Sequence, residues 1–74
     1  MAGLLLPGRP VPWTVDRYPV SMRHLSEAVR EKAIEIANAL LAEGLDEGRA
    51  IRIAIAKAEA WARRRALPVR DDES

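Results

Sequence analysis

The sequence predicts an all-α fold: a small helical domain built from a short N-terminal helical turn and an antiparallel two-helix hairpin, with the N-terminal residues laid over it as a lid. Three observations carry this. Val29, Ala33, Ile36, Ala37, Leu40 and Leu41 recur at spacings of three and four, as one face of a helix requires. Ile51, Ala54, Ile55, Ala58, Trp61 and Ala62 do the same further on. Between them lies "EGLDEG", too short a connection for anything but a tight reversal, so the two helices lie close to antiparallel or sharply crossed.

The 74 residues make one domain near the lower size limit, where little surface is buried and every apolar side chain counts. The predicted organisation is a flexible lead over residues 1–11, a single helical domain over 12–65 and a disordered acidic tail over 66–74. Pro7, Pro10 and Pro12, with Gly3 and Gly8, deny the lead helical continuity. In "PWTVDRYPVSMRHL" Asp16 or Tyr18 precedes a short helical turn with Pro19 at its first position, where a missing N–H costs nothing, and the turn is expected to end near His24. Ser26 is the expected N-cap of the first long helix, with Glu27 adding a negative charge to its first turn and Leu25 packing back from just outside. That helix is expected to run to about Glu43.

Gly44 then closes it in a left-handed conformation, with Leu45 as the apolar contact that accompanies such a stop. Asp46 caps the second helix, which runs from about Glu47 to Arg65. Alanines on the facing sides (Ala33, Ala37, Ala54, Ala58, Ala62) let the two axes approach closely. Two helices alone cannot enclose a core, so Trp13, Tyr18, Val20, Met22 and Leu25 are expected to fold across the open side, with Trp13 and Trp61 both in the small core.

Composition excludes several classes of function. There is no cysteine, hence no disulfide, thiolate metal site or thiol nucleophile, and a reducing, cytoplasmic location fits. "MAGLLLPGRPV" lacks the basic lead and the longer apolar run of a secretory signal, and no stretch has the length of apolar residues that a membrane span needs. The formal net charge of +1 is unevenly spread, because the last residues "DDES" carry three acids just after Arg63, Arg64, Arg65 and Arg70. The remaining basic excess is mild beside the dense stripe of a dedicated nucleic-acid binder.

No site motif survives inspection. A calcium loop starting at Asp46 would have glycine and alanine at ligand positions, so no metal is expected. Gly44 and Gly48 at a helix start offer free amides, but the lysine and hydroxyl of a nucleotide loop are missing, and Asp46 and Glu47 would repel a phosphate. The GxxxG spacing of these glycines lacks the apolar context of a membrane helix pair. Read as a helix-turn-helix, the glycine between the helices is preceded by Leu40 and Glu43 where a small and an apolar residue are usual. His24, the lone histidine, sits at a helix end, and no serine has a partnered acid and base by motif, so neither an enzyme nor a cofactor is expected.

Two surfaces remain. Ile53 falls opposite Ile51 and Ile55, beside Ala56 and Ala60, so that either the lid or a second copy must cover it; Ile53, Ala56 and Ala60 form the expected partner-binding surface. Arg49, Arg52, Lys57, Arg63 and Arg64 form the alternative, a face for nucleic acid, against which stands a solvated basic face paired within the helix, as Glu59 is with Arg63. Arginines at the end of the second helix also stabilise its negative pole.

"PWTVDRYPVSMRHL", "KAIEIANALL" and the doubled "EG" ahead of "RAI" resemble the N-terminal module of small bacterial general-stress proteins of the YdaT kind, over roughly Pro12 to Trp61. More distantly, the proline-x-serine start and the alanine-rich second helix ending in Ala60-Trp61 are similar to the ChaB family of putative cation-transport regulators. The resemblance implies a cytoplasmic, helical, non-catalytic module and carries over no ligand or catalytic residue. The expected function is a small interaction module, stress-associated by resemblance, that binds a protein partner or itself through the second helix; the alternative is a nucleic-acid-binding module.

Overall fold

The computed structural model describes residues 13–70. In it a 3-10 turn, Val20–Met22, leads into two helices, α1 (Glu27–Ala42) and α2 (Glu47–Arg64), and the two helices pack along each other as a hairpin. The flexible lead expected over residues 1–11 and the last four residues of the expected tail lie outside the described residues.

Both helix starts are capped as read from the sequence. Ser26 and Asp46 hold extended backbone, and their side-chain oxygens accept from the amides of Val29 and Arg49, each satisfying a donor that the first turn leaves unpaired. Helix α1 ends on Glu43, Gly44 has φ of +102°, and the chain reverses through paired bonds: the Gly44 amide donates to the Leu41 carbonyl and the Leu45 amide to that of Leu40. This is the Schellman stop, in which a left-handed residue lets two amides reach back to the last turn.

Helix α2 ends the same way without a glycine. Ala66 stands at φ of +56°, with its amide on the Arg63 carbonyl and the Leu67 amide on that of Ala62. A side chain in this conformation costs about 1–2 kcal/mol, so the stop is held against a local penalty. What it achieves is a return: Pro68 and Val69 run back to the start of α1, where the Ser26 amide donates to the Val69 carbonyl at 2.8 Å and the Ser26 hydroxyl to that of Pro68 at 2.9 Å. Leu25 and Arg70 form an isolated antiparallel bridge beside them. Val69 is buried in the core. The stretch from Ala66 to Arg70, expected as part of a disordered tail, is therefore tied to the hairpin at Val69, which is buried at its end while Ser26 holds the backbone of Pro68 and Val69.

The helices meet along rows of residues spaced by four. Val29, Ala33 and Ala37 of α1 face Ala50, Ala54, Ala58 and Ala62 of α2, and all seven are fully buried. Met22, Leu25, Ile34 and Val69 complete the buried set. Six of the eleven buried apolar residues are alanine, so the hairpin seam contributes little area and the segments packed beside it matter correspondingly.

The N-terminal lid lies along one side of α1. The Asn38 side chain forms two bonds with the backbone of Trp13, accepting from its amide at 3.3 Å and donating to its carbonyl at 2.9 Å. Two turns earlier, the Arg30 guanidinium donates to the carbonyls of Met22, Arg23 and Leu25 and sits 4.9 Å from the centre of the Tyr18 ring. Trp13 and Tyr18 pack against the core, half-buried. Two details differ from the sequence reading. Pro19 caps the 3-10 turn rather than opening it, and Val20, expected to fold across the open side with the lid, is 76% exposed because a three-residue turn can send only Met22 inward.

The terminations yield opposite expectations. Gly44→Ala meets no neighbouring atom yet lowers stability by roughly 1 kcal/mol through its φ, while Ala66→Gly raises it by roughly 0.5–1 kcal/mol, both read from urea midpoints at constant slope. Asn38→Ala removes both bonds to Trp13 and costs about 1–3 kcal/mol, with a red shift of tryptophan emission ahead of the loss of helical signal as urea rises.

The unlidded face and the outer faces of the hairpin

About 100° per residue sorts each helix into four rows. On α1 the buried row is flanked by Arg30, Ile34 and Asn38, which hold the lid, and on the other side by Ala28, Lys32, Ile36 and Leu40. The outermost row is Glu27, Glu31, Glu35, Ala39 and Glu43. On α2 the row on the lid side is Ile51, Ile55, Glu59 and Arg63; that on the unlidded side is Arg49, Ile53, Lys57, Trp61 and Arg65; the outermost is Arg52, Ala56, Ala60 and Arg64.

Two contacts fix which rows share a side. Lys32 Nζ lies 5.4 Å from the centre of the Trp61 ring, so the Lys32 row and the Trp61 row adjoin. The lid instead touches the row of Arg30 and Asn38. One broad side of the hairpin thus carries residues 13–18, and the opposite side carries Ile36, Leu40, Ile53 and Trp61, all half-buried, with Lys32 and Arg65 standing over the Trp61 ring.

This splits the expected partner surface. Ile53 belongs to the Trp61 row on the unlidded side, whereas Ala56 and Ala60 lie on the outer row between Arg52 and Arg64. The basic residues divide as well: Arg49 and Lys57 flank Ile53, Arg52 and Arg64 are outermost, and Arg63 lies on the lid side, all five exposed. Ile36, Leu40 and Trp61, which periodicity assigns to the core face, are its edges, and a two-fold rather than a one-sided reading of each apolar stripe would have found them.

The charges are sorted by helix. The outer row of α1 carries Glu27, Glu31, Glu35 and Glu43, and α2 after its first turn exposes four bases, Arg52, Lys57, Arg63 and Arg64. Lys32 pairs with Glu35 at 3.2 Å within α1, and among the described residues no ion pair joins the two helices. Lys32 and Arg65 both stand over the Trp61 ring, Arg65 at 5.1 Å.

The space under the lid, lined by Val15, Glu27, Arg30, Glu31 and Ile34, is about 50 Å³, well below the roughly 300–1,000 Å³ of ligand pockets. A wider groove beside Trp61, lined by Ala28, Glu31, Lys32 and Glu35, is open to solvent. Among the described residues no three metal-ligating side chains converge, and the Asp46 carboxylate is engaged as a cap. Among the described residues no helix is long and apolar enough to cross a membrane.

A protein of Bacillus subtilis (strain 168), uncharacterized protein YdaT, is 48% identical to the chain over 62 residues, which cover 84% of this chain and 41% of that protein. The chain is homologous to that part of YdaT. It spans about two fifths of YdaT's length, so what the whole of YdaT does is a separate matter. No family model and no solved structure matches the chain.

Proposed function

We propose that this chain is a small non-catalytic interaction module that binds a protein partner through the unlidded side of the hairpin, centred on Ile53 and Trp61. The observation that carries this reading is one-sided cover. A two-helix hairpin has two broad sides; here residues 13–18 and their hydrogen bonds occupy one, and Ile36, Leu40, Ile53 and Trp61 stand half-buried on the other. These apolar groups are set among Lys32, Arg49, Lys57 and Arg65, Lys57 standing between Ile53 and Trp61, so the side offers apolar anchors within a basic rim. Ala56 and Ala60 extend it around α2 as a smooth shoulder on which a helix can rest.

The proposal extends to a cytoplasmic, stress-associated role through the resemblance of Pro12 to Trp61 to general-stress proteins of the YdaT kind. Kinship with the ChaB family would add a link to cation transport. The nucleic-acid reading of Arg49, Arg52, Lys57, Arg63 and Arg64 is weaker, since these five point to three different sides of α2 rather than forming one stripe.

The test compares the wild-type chain with Ile53→Glu, immobilised at equal loading and exposed to extract from stressed cells. Ile53 is half-exposed and outside the buried set, so the variant is expected to keep its helical signal and its melting temperature within a few degrees. Proteins retained by the wild type and lost from the variant support the reading. Identical retained sets overturn it.

A further inference from the structure

We infer that residues 13–18 are a lid that opens as one unit about Pro19 while the hairpin stays folded, uncovering Ile34 and the row of Ile51 and Ile55 as a second apolar side. This goes beyond the interaction reading and does not depend on it. Three features of the segment point to such a device.

The first is where its hydrogen bonds go. The Thr14 amide donates to the Arg17 carbonyl at 2.8 Å, the Arg17 amide donates to that of Thr14 at 3.1 Å, and the Thr14 hydroxyl oxygen accepts from the amides of Asp16 and Arg17. The turn is closed on itself, and Val15 at its tip is 59% exposed. Its ties to α1 lie at its two ends, the Asn38 side chain on the backbone of Trp13 and the Arg30 guanidinium over the Tyr18 ring. Beneath the tip, a space of about 50 Å³ lined by Val15 and Ile34 separates the turn from the helix. A segment that satisfies its own backbone and rests on few buried contacts belongs to the low-stability end of a fold.

The second is a cost that the closed lid carries. Trp13 Nε1 is buried and has no hydrogen-bond acceptor. An N–H taken out of water and left unpaired loses its hydration with nothing in exchange, a loss of the same order as the gain from the paired bonds of Asn38. Lifting the lid gives this donor back to water, so closure rests on a narrow margin.

The third is where opening stops. Beyond Pro19 the chain is anchored: the Met22 amide donates to the Pro19 carbonyl, Arg30 holds the carbonyls of Met22, Arg23 and Leu25, and the Met22 and Leu25 side chains are fully buried. Pro19 itself has extended backbone, at φ −61° and ψ 144°, and no N–H with which to be tied to the turn before it. It is the joint between a weakly held segment and a firmly held one. Met22, Leu25, Val29 and Val69 keep their packing when the lid lifts.

The experiment is hydrogen exchange of the full chain under native conditions, read residue by residue by NMR in water and in urea too dilute to unfold it. The amides of Trp13, Thr14 and Arg17 are expected to be at least about a hundredfold less protected than those of Ala33 and Ala37, and to exchange at rates that urea hardly changes, because opening the lid exposes little surface. Protection in α1 and α2 is expected to fall steeply with urea. Two variants loosen opposite ends of the lid: Asn38→Ala releases Trp13, and Tyr18→Ala removes the ring under Arg30. Each is expected to speed exchange by a similar factor, roughly tenfold, at all three lid amides, including Arg17 in the first variant and Trp13 in the second.

Lid amides as protected as those of α1, with the same dependence on urea, overturn the inference, because the segment then opens only with the whole fold. That comparison needs the wild type alone and stands even where a variant fails to fold. A folded variant that speeds exchange only at the end it loosens also overturns it, since the segment then frays instead of lifting as a unit.

Discussion

The contact of alanine on alanine between α1 and α2 constrains everything else in this fold. With Ala33 and Ala37 against Ala50, Ala54, Ala58 and Ala62, the helices approach closely and bury their seam completely, but each alanine removes only a methyl group from water. Roughly 0.8 kcal/mol per buried carbon is a small return against about 1–2 kcal/mol of backbone entropy for each ordered residue. A bare hairpin of this composition would not hold its shape. The larger side chains that add to it, Met22, Leu25, Val29, Ile34 and Val69, gather at the Ser26 end and beneath the lid, so the ordering of segments outside the helices is part of what keeps the helices together.

Those segments are tied down by polar groups on α1, and each tie answers a specific deficit. The Met22 carbonyl accepts a turn bond from the Leu25 amide, and the planar fork of Arg30 reaches it as well as the carbonyls of Arg23 and Leu25, which a lysine could not do with one fixed geometry. The backbone of Trp13 has no strand or helix to join, and the Asn38 amide supplies both a donor and an acceptor in its place. Ser26 does double duty: its oxygen accepts from Val29 to start the helix, and its hydroxyl and amide receive the returning strand at Pro68 and Val69. Helix α1 is thereby the organising element, with α2 on one side, the lid on another and the tail across its first turn.

Much of this was legible before any coordinates. Ser26, Gly44 and Asp46 were readable because a cap is a local event: the residue type, its backbone conformation and the orphan amides it serves all lie within four positions. The helical faces were readable because burial repeats with the helix period. What stayed hidden depends on residues far apart. Nothing near Asn38 or Arg30 signals that each will meet a backbone segment placed by the fold, 25 residues away in the case of Asn38. Ala66 gave no sign of a left-handed stop, since alanine is the strongest helix former, and only the return of Val69 to the core compensates for that conformation. The exposed apolar edge was legible in part: Ile53 stands out by breaking the period, but Ile36, Leu40 and Trp61, half-buried on the same side, satisfy the period and read as core. A helix on the edge of a two-layer unit has a core stripe wider than its seam, and periodicity alone does not say where the seam ends.

The sorting of charge between the helices bears on which partner suits this molecule. A polyanion such as nucleic acid gains from every base it reaches and loses at every acid, and its charge is spread over many ångströms. Laid against α2, it would find Arg49, Arg52, Lys57 and Arg64, but a broad contact across the unlidded side would also bring it against the row of Glu31 and Glu35 on α1. A surface evolved for phosphate has no use for that row. A partner whose own charges alternate from one flank to the other, acid facing α2 and base facing α1, gains at both.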